Sequence, residues 1–121
     1  MNENLLKIMQ LNVEKRYQYL LQEIAKHNAI WILVDDDGCV MLRSDDEDCV
    51  PIWPSREFAE YWATLDWSNC KALEVSVNDW KKKWTDGLIA DDIQIAIFPN
   101  PDEAGLVIFP DEFEQDVKKS S

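Results

Sequence analysis

The chain has 121 residues, of which 24 are Asp or Glu and 12 are Lys or Arg, so its formal net charge at pH 7 is −12. This charge argues against nucleic acid or an anionic membrane surface as a partner, because both carry dense negative charge. The length and a hydrophobic content of 46% predict a single domain over residues 1–121 whose core needs neither a disulfide nor a metal.

The cysteine and histidine content argues against a metal site and against secretion. Cys39, Cys49 and Cys70 are widely spaced, and His27 is the only histidine, so no zinc-binding pattern exists. An odd number of cysteines without a secretory signal favours reduced thiols. The longest apolar run, Ala29–Val34, is far shorter than the roughly 20 residues that cross a bilayer. We therefore expect a cytoplasmic protein with no cofactor and no membrane contact.

The N-terminal segment has the periodicity of a helix. Apolar residues recur every three or four positions between residues 4 and 28, and Asn28 is a suitable C-terminal stop. Asn12 is also a good N-cap for a second helix. The pattern thus allows one long helix or a break at Asn12, in which case residues 1–11 form a helical extension of the domain.

The next segment changes to the two-residue periodicity of strands. Two β-rich runs flank the turn Asp35–Gly38, where glycine can adopt the positive φ angle of a tight hairpin. The acidic loop "SDDEDC" then leads into a short strand, "VPIW". The following "PSREFAEYW" begins with favourable helix-start residues and places Phe58 and Trp62 on one helical face.

The second half of the chain continues this alternation of strands and helices. "KALEVSV" reads as a strand, and Asn78 is expected to cap the helix "DWKKKWTDGLI", in which Trp80, Trp84 and Leu88 form an apolar stripe. "IQIAIF" and "GLVIF" are two further strands. "PDEFEQDVKK" is a terminal helix whose acids precede its lysines, as the helix dipole favours, and residues 118–121 are expected to fray. The order predicts an α+β domain with a mixed or largely antiparallel sheet and helices packed on it.

A short motif recurs three times, as "VPIWP", "IAIFP" and "LVIFP". Each copy is an apolar run that ends in an aromatic residue and a proline. Proline cannot donate a hydrogen bond to a neighbouring strand, so each copy is expected to end a strand. The copies begin at Val50, Ile95 and Leu106, and these unequal spacings argue against a regular structural repeat.

No catalytic residue is predicted. His27 lies at the expected C-terminus of the first helix, where the helix dipole favours its charged form and makes it a poor base. No phosphate-binding loop or nucleophile motif occurs. The segment from Leu33 to Ser44 fits the EF-hand pattern in its middle, but these two end residues stand where carboxylate ligands belong.

The acidic loop and two tryptophans are the candidate binding surface. The acidic run suits a basic partner and is at most a weak Ca²⁺ site. Trp67 falls on no periodic face, so it either covers the end of the preceding helix or is an exposed anchor for a partner. Trp31, Trp62, Trp80 and Trp84 are expected in the core. The candidate binding residues are Trp67, Trp53, Asp45, Asp46, Glu47 and Asp48.

Taken together, these motifs resemble an uncharacterised bacterial family, domain of unknown function 2750. The resemblance extends from Val13 to Val117 and rests on the order of short motifs. A weaker, architectural similarity links the chain to the N-terminal domain of enhanced-serine-sensitivity proteins. The family implies a small bacterial cytoplasmic α+β protein and no catalytic residues. The motifs are "RYQYLLQEIAKHNAIWIL", "DDGCVML", "VPIWPSREFAEYWA", the Trp of "LDWSN", "VSVNDWKKKW" and "IAIFPNPDEAGLVIFPDEFEQDV".

Three functions fit these observations. The first is a non-enzymatic protein-binding or regulatory module with a basic partner, and the acidity and the lack of catalytic motifs favour it. The second is an immunity-type inhibitor of a basic toxin or nuclease, in which the acidic loops imitate phosphates. The third is an enzyme based on paired carboxylates, or a weak calcium binder, which requires a pocket lined by carboxylates with raised pKa values.

Overall fold

The computed structural model describes residues 3–44, 47–63, 69–101 and 105–120. No helix within these ranges is long and apolar enough to cross a membrane. The helices are α1 (Glu3–Met9), α2 (Val13–His27), α3 (Arg56–Trp62), α4 (Val77–Asp79), a π-helical turn (Trp80–Trp84), α5 (Thr85–Ala90) and α6 (Pro110–Ser120). The strands are β1 (Ala29–Asp35), β2 (Gly38–Cys39), β3 (Leu42–Ser44), β4 (Glu47–Ile52), β5 (Lys71–Ser76), β6 (Gln94–Ile97) and β7 (Leu106–Ile108).

The N-terminal helical segment is broken at Asn12, the second of the two predicted arrangements. The side-chain oxygen of Asn12 accepts a hydrogen bond from the backbone N–H of Lys15 at 2.9 Å, which caps α2. Asn28 ends α2 in the left-handed region, with a φ of 53°, and its N–H donates to the carbonyl of Ile24. Both ends of α2 are therefore set by local side-chain and backbone chemistry that the sequence shows.

The strands form two sheets that meet at one pair of tryptophans. The first sheet has the order β2-β1-β5 and the second has the order β3-β4-β6-β7. Trp31 and Trp53 exchange two backbone hydrogen bonds, of 3.1 and 2.9 Å, and so connect β1 to the end of β4. All pairs are antiparallel except β4–β6, which is parallel. The α+β class and the largely antiparallel sheet are confirmed.

The three copies of the aromatic-proline motif are three neighbouring strands. In the parallel pair β4–β6, Val50 lies opposite Ile95 and Ile52 lies opposite Ile97, so the first two copies are in register along their whole length. The third copy, β7, runs antiparallel to β6. The interpretation that each aromatic-proline pair ends a strand is confirmed, because β4, β6 and β7 end just before these pairs.

The helical segment from Val77 to Ala90 begins earlier than the sequence analysis expected. The Oγ of Ser76 accepts the backbone N–H of Asp79 at 3.1 Å, so Ser76 is the cap and the prediction of Asn78 is wrong. The rings of Trp80 and Trp84 stack with centroids 5.1 Å apart and an interplanar angle of 1°. This stack lies within the π-helical turn, a rare wider turn inside an otherwise α-helical segment.

The core is apolar and includes the predicted helical stripe. Trp80 and Leu88 are buried, whereas Trp31, Trp62 and Trp84 are half-buried and pack against the core. At the C-terminus, α6 is held by buried Phe113 and Val117. The tail that the sequence predicts to fray from residue 118 is helical as far as Ser120.

Candidate functional site

The structure corrects one of the predicted binding residues. Trp53 has a relative exposure of 0%, and its indole Nε1 donates to the carbonyl oxygen of Pro99 at 3.0 Å. Its ring also packs against Trp62, with centroids 5.4 Å apart. A side chain with no exposed surface cannot contact a partner, so Trp53 is a core residue rather than part of a binding surface.

The acidic candidates that the structure describes are solvent-exposed. Glu47 and Asp48 lie at the start of β4, opposite β3. Asp48 is 3.8 Å from Arg43, and both side chains are mostly exposed, so this ion pair adds about 1 kcal/mol at most. The other three predicted binding residues, Asp45, Asp46 and Trp67, lie outside the described residues.

A groove between α5 and α6 forms a partly apolar depression on the surface. Its first wall is the end of α5, which closes in a Schellman motif. The N–H of Ile93 donates to the carbonyl of Leu88 at 2.9 Å, and the N–H of Asp92 donates to the carbonyl of Ile89 at 3.1 Å. Asp92 occupies the left-handed position of this motif, with a φ of 58°. The motif leaves Ile89 half-exposed at the rim.

The second wall of this groove is the junction between β7 and α6. Phe109 follows β7 and stands at the N-cap position of α6, where its carbonyl accepts the N–H of Phe113 at 3.1 Å. Pro110 is the first helical residue, for which its fixed φ angle is well suited. The backbone is therefore anchored while the Phe109 ring remains 57% exposed. The residues that line this α5–α6 groove are Leu88, Ile89, Asp92, Ile93, Gln94, Phe109, Pro110 and Asp111.

The size and charge of the groove limit what it can hold. Its volume is about 140 Å³, which is below the roughly 300–1,000 Å³ of typical small-molecule sites. It can therefore accept a single bulky side chain but not an ordinary cofactor. Asp92 and Asp111 lie exposed at its rim, and Asp91 is exposed next to Asp92. The arrangement is an apolar floor with an acidic border.

A second notable feature is a buried arginine in α2. Arg16 has a relative exposure of 1%, and its guanidinium donates to the carbonyls of Phe98 at 3.1 Å and Leu11 at 2.7 Å. Phe98 has a φ of 44°, and Asn100 in the same loop donates to the carbonyl of Met9 at 3.2 Å. These bonds fix the loop after β6 against the N-terminal helices, so we assign Arg16 a structural role.

Among the residues that the structure describes, the titratable groups with shifted pKa values lie outside the α5–α6 groove. Burial raises the pKa of the Cys39 thiol, and burial and the charge of Asp35 raise the pKa of Cys70. A raised pKa leaves less thiolate at neutral pH and makes a cysteine a poor nucleophile. His27 is exposed at the end of α2. Within the described ranges, no three His, Cys, Asp or Glu side chains are grouped as metal ligands.

Comparison with known protein families supports the resemblance. The chain belongs to the family described as "Protein of unknown function (DUF2750)", which matches residues 17–117. The match begins in α2 and ends in α6, and it includes both walls of the α5–α6 groove. No curated protein matches the sequence.

Ile89 and Phe109 were missed as site residues. From the sequence, Phe109 is predicted to end a strand and Ile89 to end a helix. The spacing in the terminal helix carries no signal for the exposure of Phe109, because residues four apart, such as Phe109 and Phe113, are expected on one helical face. The proximity of Phe109 to Ile89 depends on how α5 and α6 pack, which the local sequence does not show.

Proposed function

We propose that this protein is a non-enzymatic binding module for a basic protein and that it acts in the bacterial cytoplasm. The observation that carries the proposal is the acidic surface of the fold. Most of the Asp and Glu side chains that the structure describes are solvent-exposed. These exposed carboxylates can be reached by an external cationic partner.

Two further observations support the proposal. The α5–α6 groove is lined mainly by apolar side chains together with Gln94 and is bordered by aspartates, a combination that suits the insertion of a side chain from another protein. Cys39, Cys49 and Cys70 form no disulfide with one another, which suits a reducing compartment. A charge of −12 also accelerates encounter with a basic partner and disfavours acidic ones.

The test is capture of partners followed by kinetics with each purified partner. Surface plasmon resonance gives the association rate constant from about 0.05 to 0.3 M salt. We expect a partner with a net positive charge and an association rate constant that falls at least about tenfold over this range. An acidic partner, a rate independent of salt, or the absence of any saturable partner contradicts the proposal.

A pair of charge variants separates the two acidic regions. Glu47→Gln with Asp48→Asn neutralises the start of β4, and Asp91→Asn with Asp92→Asn neutralises the end of α5. Each double variant removes the same amount of charge, so their effects on long-range attraction are matched. Both are expected to slow association, and the pair that also raises the dissociation rate lies closer to the bound partner.

A further inference from the structure

We infer that the α5–α6 groove is the docking surface for a segment of the basic partner that presents one bulky apolar side chain flanked by lysine or arginine. The inference rests on the proposed function, from which it takes the positive charge of the partner. It adds where that partner binds and which residue types it must present.

Two exposed apolar side chains line the groove. Ile89 is 50% exposed and Phe109 is 57% exposed, and both line the same groove. Single exposed apolar residues are common on protein surfaces, but two bulky ones that face a shared depression form a patch. The floor between them is formed by buried Leu88 and Pro110, so an inserted side chain would meet apolar atoms.

The charge around the groove and its small volume decide among the occupants it could hold. Asp91, Asp92 and Asp111 are exposed at or next to the rim, so a lysine or arginine on either side of the inserted side chain finds a carboxylate. A second copy of this chain carries a charge of −12 and is repelled. The small volume argues against a free metabolite. A basic segment with an apolar anchor meets all three conditions.

The position of Asp92 fits the same assignment. The left-handed position of a Schellman motif is usually glycine, although Asn and Asp also adopt it. Asp92 adopts this conformation with a φ of 58° at the C-terminal end of α5, where the helix dipole disfavours negative charge. A lysine or arginine of the partner beside Asp92 would offset this repulsion.

The experiment is a display selection with random 12-residue peptides against the purified full-length protein. The most enriched peptide is then synthesised, and its Kd is measured by isothermal titration calorimetry for the wild type and four variants.

Phe109→Ser removes the aromatic ring but supplies a good N-cap, so it preserves the start of α6. Ile89→Lys places a positive charge on the opposite wall. Asp92→Asn keeps a residue that tolerates the left-handed conformation. Leu73→Thr, on exposed β5, is the control for loss of an equally exposed apolar side chain.

We expect enriched peptides to share a bulky apolar residue with lysine or arginine on both sides. The Kd should rise at least about tenfold for Phe109→Ser and Ile89→Lys, and about threefold for Asp92→Asn at low salt. Leu73→Thr should change the Kd less than about twofold, within the range of an uninvolved surface site. Thermal unfolding of each variant verifies that the fold is retained.

The outcomes separate this inference from the proposed function. Basic peptides that bind Phe109→Ser and Ile89→Lys as tightly as the wild type overturn the groove assignment and leave the proposed function standing. A selection that enriches no basic peptides contradicts both. Sedimentation equilibrium covers the remaining occupant: a wild-type dimer that Phe109→Ser dissociates would assign the groove to a second copy of the chain and overturn the inference.

Discussion

The indole Nε1 of Trp53 donates a hydrogen bond to the carbonyl oxygen of Pro99 at 3.0 Å. This bond joins the ends of two aromatic-proline motifs, because Trp53 follows β4 and Pro99 lies in the loop after β6. The backbone N–H of Phe98 also donates to the carbonyl of Ile52 at 2.9 Å. The end of the first copy of the motif thus fixes the end of the second, and both are buried.

Replacing Trp53 tests how much this junction stabilises the fold. Trp53→Phe removes the N–H donor, leaves the Pro99 carbonyl without this partner, and opens a small cavity. We expect a loss of about 2–3 kcal/mol in the free energy of unfolding, measured by urea denaturation. Trp84→Phe is the matched control at a half-buried tryptophan and should lower the free energy by about 1 kcal/mol. Equal effects would contradict this role for the Trp53 hydrogen bond.

The return of the chain into β7 depends on Gly105. Its φ is 80°, and a Cβ there would overlap the carbonyl oxygen of Ile97. Gly105→Ala should therefore lower the free energy of unfolding by about 2–3 kcal/mol. Gly87→Ala is the opposite case, because Gly87 lies in α5 with open space around it. That substitution should raise the free energy of unfolding by about 0.5–1 kcal/mol. If Gly105→Ala and Gly87→Ala shift the free energy of unfolding in the same direction, the special role of Gly105 is contradicted.

The loop after β6 also depends on Arg16. Arg16→Met keeps a long, largely buried side chain but removes the donors to the carbonyls of Phe98 and Leu11. The Phe98 carbonyl then stays buried and the Leu11 carbonyl partly buried without these donors, so we expect a loss of about 3 kcal/mol in the free energy of unfolding. Arg56→Met is the control. Arg56 is exposed, and its guanidinium carbon lies over the Trp31 ring, 5.3 Å from the ring centroid. Its replacement should lower the free energy of unfolding by about 1 kcal/mol or less. If Arg16→Met lowers the free energy of unfolding only slightly, the loop after β6 does not depend on Arg16.

These residues show where sequence reasoning succeeds and where it ends. The strand endings at Trp53 and Phe98 are encoded locally, because proline stops a ladder wherever the strand lies. The burial of Arg16 is not local: its partner Phe98 is 82 positions away, and within the pattern of α2 an arginine reads as a surface residue. The exposure of Phe109 likewise depends on the packing of α6 beside α5. The start of α4 was misplaced because Ser76 and Asn78 are both good caps, and the end of β5 decides between them.

The contact between α2 and α6 predicts a loss of stability in alkaline solution. The hydroxyl of Tyr17 donates to Asp116 Oδ2 at 2.6 Å, and burial together with this acceptor raises the pKa of Tyr17 above its ordinary value of 10.0. The folded state therefore holds a proton that the unfolded state releases above about pH 10. The stabilisation is complete below this pH and is lost as the pH rises further.

Tyr17→Phe removes this proton-linked contribution to stability. In urea denaturation from about pH 8 to pH 11, the wild type should lose stability more steeply than the variant above about pH 10, and the two curves should converge. Tyr61→Phe, at another half-buried tyrosine, is the control for general effects of alkaline pH. Parallel curves for the wild type and Tyr17→Phe would contradict the linkage.

Asp92 predicts opposite changes in stability and in binding. It is a left-handed aspartate beside the negative end of the α5 dipole, so Asp92→Gly relieves both the backbone strain and the charge repulsion. We expect the free energy of unfolding to rise by about 0.5–1 kcal/mol in urea at neutral pH and low salt, while the selected basic peptide binds more weakly. Asp79→Asn is the control of opposite sign, because Asp79 lies in the first turn of α4, where the dipole favours an acid; it should lower stability by about 0.3–1 kcal/mol. If Asp92→Gly lowers stability, the carboxylate contributes to the fold itself, and its position against the helix dipole no longer supports a function at the groove.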